Sequence, residues 1–151
     1  MELVWDLIAN AERRIKEGKF DDATARMYRA TELGAQITLM KKGFDTGNLD
    51  TGKLPEGLRN KYEQRRGEEG KIKIGLMSDF ELLKELGHPL GNKYEEIKNY
   101  LSSRNNSILA HGACPVTEKS CRNFLERIKE VYSIKDENLP EFPEIHIELF
   151  D

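Results

Sequence analysis

Arg104 and His111 are the two residues of this chain whose types and spacing point most directly to chemistry. An imidazole accepts or delivers a proton near neutral pH. A guanidinium stays charged and forks onto two oxygens of a phosphate, stabilising negative charge as it gathers there. The residues are seven apart, and at about 100° per residue a helix brings position 111 to within about 20° of position 104 around its axis. Ser107 and Ile108 fall between them on the same strip. Followed backward, the strip runs through Leu101, Ile97 and Tyr94, an apolar row that should pack on another helix or on a second subunit. Charged groups on such a row require a function; the bland alternative is a satisfied structural pair of Arg and His.

The element that must carry the pair reads as a helix over 92–111, closed by Gly112 and separated by Pro115 from the next helical stretch. The rest of the chain also has helical periodicity. Leu3, Val4, Leu7, Ile8, Ala11 and Ile15 recur at intervals of three and four and describe an amphipathic helix that Gly18 terminates. A second helix is predicted over 20–42, with Ala23, Met27, Ala30, Gly34 and Ile37 on one side, the small residues allowing close approach to the first helix in an antiparallel hairpin. Turn-forming residues dominate 43–53 and predict a mobile segment. Pro55 opens a short helix through Arg66, Gly67 and Gly70 break it, and Lys71-Ile72-Lys73-Ile74 alternates without settling between an extended piece and a helix lead-in. Ser78-Asp79-Phe80-Glu81 has the form of a capping box, and Pro89 with Gly91 should end the helix it starts. Thr117 is a plausible cap for a last helix carrying Cys121, Phe124, Leu125, Ile128, Val131 and Tyr132. Beyond Pro140 and Pro143, the alternation of Ile145, Ile147 and Leu149 reads as an extended tail.

A length of 151 residues suits one domain with its own core. Charged residues make up 34% of the chain, but the net charge is only −3, so any attraction for nucleic acid must come from a local patch. The densest basic run, Lys53, Arg59, Lys61, Arg65, Arg66, Lys71 and Lys73, is interleaved with Glu56, Glu63, Glu68 and Glu69 and reads as a solvated helix face; the competing reading makes it an RNA surface with Tyr62 stacking on a base. Two cysteines, Cys114 and Cys121, are too few for a disulfide framework or a zinc site and fit a reducing compartment. Acidic residues near Met1 do not suit a secretory signal, and no apolar run approaches membrane-spanning length, so a soluble, cytoplasmic chain is expected, with no membrane role. His88 and His146 have no sequence neighbour to work with and receive no role.

Arg104-Asn105, five further residues and then His111 near a helix end resemble the motif of HEPN-domain ribonucleases. The wording of Gly70–Leu76, Leu82–Gly87 and Asn106–Gly112 is similar to the effector end of CRISPR-associated proteins that join a CARF sensor to a HEPN domain. The resemblance implies an all-α, HEPN-like bundle of about five to six helices. It further implies a metal-independent endoribonuclease that needs no cofactor and cuts single-stranded RNA, the 2′-hydroxyl attacking the adjacent phosphorus, in CRISPR-linked or toxin-type antiviral defence. Arg104 and His111 are then the catalytic residues, while Asn105 and Ser107 contact substrate or orient the pair. One histidine per chain is awkward for a reaction that needs both acid and base, and the resemblance implies a homodimer with a composite site, the apolar row forming the subunit seam. A CARF sensor binding cyclic oligoadenylate would belong to a longer protein; none is recognisable here, so the chain is expected to be a fragment or a self-standing HEPN protein. Two other readings remain: a non-catalytic HEPN module that binds nucleotide or an antitoxin, and, from the wording of residues 11–23, a tetratricopeptide-like adaptor. The last lacks the second copy that a solenoid requires.

Overall fold

The computed structural model describes residues 1–105 and 115–140, apart from the side chains of residues 103–105 and 138. Six α-helices are found among them: α1 Glu2–Lys16, α2 Phe20–Lys41, α3 Glu56–Glu63, α4 Leu76–Glu85, α5 Tyr94–Asn105 and α6 Glu118–Tyr132. No strand occurs among the described residues, so the expected all-α bundle is the observed architecture. The tail with Ile145, Ile147 and Leu149 lies outside the described residues.

The first two helices form the predicted antiparallel hairpin. Gly18 takes the left-handed backbone (φ +72°) that a side chain would strain. The chain then closes on itself, Gly18 N donating to Ile15 O (3.0 Å) and Lys19 N to Arg14 O (2.8 Å), the double bond of a Schellman stop. Val4, Ile8, Ala11 and Ile15 of α1 meet Ala23, Met27 and Ala30 of α2 in one continuous buried cluster. Gly34 differs from expectation. The space above it is taken by the Tyr132 ring of α6 rather than by α1, and the Tyr132 hydroxyl donates to the Thr31 carbonyl at 2.6 Å.

The turn-rich middle is pinned rather than loose. Asp45 and Asp50 each accept a backbone N–H two residues on, from Gly47 (2.8 Å) and Gly52 (3.0 Å), the local bonding these residues favour. Phe44, Leu49 and Leu54 are buried. Leu49 N donates to Ile72 O and Ile74 N to Thr46 O, so the alternating Lys71–Ile74 piece crosses this segment as an irregular strap with Ile72 and Ile74 inward.

Helix α4 begins at Leu76 after Gly75, two residues before the expected capping box. Ser78 is then inside the helix, and its hydroxyl accepts from Arg65 (2.6 Å). Gly87 (φ +70°) stops α4 earlier than Pro89 would. A short 3₁₀ turn, Pro89–Lys93, follows, so α5 starts at Tyr94 rather than at Asn92. In that turn Gly91 lies so close to the Lys84 backbone that a Cβ would collide with it. Helix α6 opens on Thr117, whose hydroxyl accepts from Ser120 N (3.2 Å), as its residue type predicts.

Candidate functional site

Helix α5 is held on three sides. Ile97 and Leu101 are buried in the chain's own core, Tyr94 meets Phe80 of α4 with centroids 5.7 Å apart, and Tyr100 stacks on Phe124 of α6 at 5.3 Å with the rings 4° from parallel. Arg127 of α6 reaches Glu96 at 3.5 Å. This corrects the expected subunit seam: the row Tyr94, Ile97 and Leu101 packs against the helices of the same chain, because α6 and α4 both bring aromatic rings to it. The apolar row therefore orients α5 within its own bundle.

Arg104 falls in the last turn of α5 and Asn105 is its final residue. Arg104 follows Ile97 by seven positions and so continues its strip of helix. Ser107 and His111 lie outside the described residues, as does the expected extension of the helix to 111. The structure thus brings Arg104 to the far end of a firmly anchored helix.

Two hollows border the point where the described chain resumes. One, of about 420 Å³, lies between the α1–α2 turn and the approach to α6, with Phe20, Asp21, Pro115 and Val116 among its lining. The other lies on the first turns of α6, at Lys119, Arg122 and Asn123. The sequence gives none of these residues a functional role, Pro115 being read only as a helix break; the available signal was that Pro115 is four residues from His111.

The basic run is largely engaged by neighbouring carboxylates, as the solvated-face reading expects, but only Arg59 and Lys61 lie on an α-helix, because α3 ends at Glu63, short of the expected Arg66. Lys61 pairs with Glu81 and Glu85, Arg65 with Glu81, Arg66 with Glu63 and Lys73 with Glu69. Tyr62 is fully buried and donates its hydroxyl to Glu85 at 2.7 Å, so it is not free to stack on a base. Burial, followed by the bond to Glu85, raises its pKa. His88 caps the Pro89–Lys93 turn, Nδ1 accepting from Leu90 N (3.2 Å); burial and then nearby Lys42 lower its pKa. Among the described residues no group of three or more His, Cys, Asp or Glu is placed to hold a metal ion, and no helix is long and apolar enough to cross a membrane.

A family model described as the Csm6 HEPN domain matches residues 1–135, a span that includes both Arg104 and His111. The chain belongs to the Csm6 HEPN domain family. The resemblance carried by Arg104, His111 and their flanking helices is thereby met at the level of the family, and membership of this CRISPR-associated HEPN class suggests an RNase-type effector. No match is found among curated proteins.

Proposed function

We propose that this HEPN domain is a metal-independent endoribonuclease for single-stranded RNA, acting in CRISPR-linked antiviral defence. The observation that carries the reading is the family match across 1–135, which encloses an arginine at the end of an anchored helix and a histidine seven residues on. The 2′-hydroxyl of one nucleotide attacks the adjacent phosphorus, and the 5′-oxygen of the next leaves, giving a 2′,3′-cyclic phosphate and a 5′-hydroxyl. His111 moves a proton, taking it from the 2′-hydroxyl or giving it to the leaving oxygen. Arg104 holds the non-bridging oxygens as charge gathers on the phosphorane. Asn105 and Ser107 position the pair or touch the RNA backbone. A second copy of the chain supplies the complementary acid or base, making a composite cleft. In a longer protein, a CARF sensor for cyclic oligoadenylate would control that pairing.

The test is cleavage of single-stranded RNA in EDTA by wild type, Arg104→Ala and His111→Ala. Cyclic-phosphate ends are expected from the wild type, with losses of about 10²–10³ for Arg104→Ala and about 10²–10⁴ for His111→Ala. Equal cleavage by all three would reject the site, and wild-type cleavage abolished by EDTA would reject the metal-independent mechanism. An adaptor or antitoxin-binding module would show no wild-type cleavage at all.

A further inference from the structure

The described surface where the chain resumes after His111 has a hollow whose chemistry suits a base of bound RNA. Pro115 is four residues from His111, a chain span of at most about 14 Å. The hollow of about 420 Å³ begins there, within the size range of sites that seat small organic groups. Its apolar wall is Phe20, Pro115 and Val116. Phe20 is half-buried and packs against the core, and its backbone carbonyl accepts a weak bond from the Cys121 thiol (3.6 Å).

The charged groups of the rim differ in how far they are committed. Asp22 is engaged by Arg14 and Arg26, each at 3.1 Å, and Lys19 by Glu17 at 2.7 Å. Asp21 lines the hollow and is half-buried, and an ionised carboxylate only accepts. Beyond Thr117, the second hollow exposes Lys119, Arg122 and Asn123, with Arg122 also pairing to Glu118 at 2.8 Å. A ring face, an acceptor beside it and cations a few residues away match the three parts of a nucleotide: a flat base, its exocyclic amine and its phosphate.

We propose that the hollow at Phe20 seats a base of the single-stranded RNA near the cut, stacked on Phe20 and selected by Asp21 for an exocyclic amine, with a neighbouring phosphate on the Lys119–Arg122 face. The inference rests on the ribonuclease reading and names how that site would choose its substrate.

The experiment measures affinity of the full chain for short single-stranded 2′-O-methyl oligomers of A, C and U by fluorescence anisotropy; the methyl group blocks the attacking hydroxyl, so binding is read without cleavage. Wild type is expected to hold A and C more tightly than U, which lacks the amine. Phe20→Leu, which keeps an apolar side chain against the core, is expected to weaken A about 5- to 100-fold. Asp21→Asn should bring U level with A, and Lys119→Gln should weaken all three by the same factor. A Phe20→Leu affinity within about twofold of wild type, or equal wild-type binding of A and U, overturns the proposal. These binding effects without cleavage of natural RNA would reject only the ribonuclease; cleavage with binding indifferent to Phe20 would reject only the base pocket.

Discussion

Asp79 is fully buried on α4, and neither of its carboxylate oxygens has a hydrogen-bond partner. Burial, with a further push from Glu32 on α2, raises its pKa to about 7, since a charge taken out of water without compensation favours its neutral form. The facing Tyr132 hydroxyl gives no relief, because it donates to the Thr31 carbonyl. Below about pH 4 both the folded and the unfolded chain hold the Asp79 proton and its effect on folding vanishes. Between about pH 4 and 7 the unfolded chain has released a proton that the folded chain retains, so stability falls as pH rises through that window and levels off above it. Asp79→Asn should flatten the fall, with a benefit at pH 8 on the order of 2–4 kcal/mol, less whatever the buried amide costs. Thermal melts at pH 5 and pH 8 check this; the same pH dependence in variant and wild type would remove Asp79 as its source. Residue types alone did not reveal any of this, because Ser78-Asp79-Phe80-Glu81 carries the pattern of a capping box, and only the earlier start of α4 turns Asp79 inward.

Helix ends are the elements most easily improved. At the end of α6, Ser133 takes φ +52° while Ser133 N donates to Glu130 O (3.2 Å) and Ile134 N to Lys129 O (2.8 Å), the bonding that glycine completes after α1. A side chain in that left-handed position costs roughly 1 kcal/mol. Ser133→Gly should therefore raise stability by about 0.5–1 kcal/mol in denaturant unfolding; an unchanged or lower midpoint would show the left-handed turn to be unstrained. The same elements show what was legible beforehand. Amphipathic helices such as α1 and α6 declare themselves because their apolar periodicity is set by burial, and Gly18 and Thr117 act locally. The interval 43–74 misled because its order comes from cross-bonds such as Leu49 to Ile72, which no local composition encodes. The Arg104 and His111 spacing could be read from sequence, but the assignment of the row before them could not, since whether Ile97 and Leu101 face a partner or their own core depends on Tyr100 meeting Phe124 across the bundle.

At the scale of the whole molecule, burial of that row changes what a second copy would have to grip. If paired chains complete the cleft, contact must form around the α5 terminus and the approach to α6 rather than along the α5 flank. Mixing wild type with excess His111→Ala chains is then expected to lower RNA cleavage per wild-type chain, because a mixed pair brings only one imidazole to a shared cleft that uses two. Cleavage per wild-type chain that stays unchanged would place each cleft within a single chain.

Gly91 has a long reach in this arrangement. With nothing but hydrogen on its α-carbon, it lets the turn before α5 rest directly on the Lys84 backbone, and the helix leaves that junction along a fixed bearing. Arg104 lies thirteen residues downstream of this pivot, so the place where the helix delivers it is governed from afar by a residue that carries no reactive group.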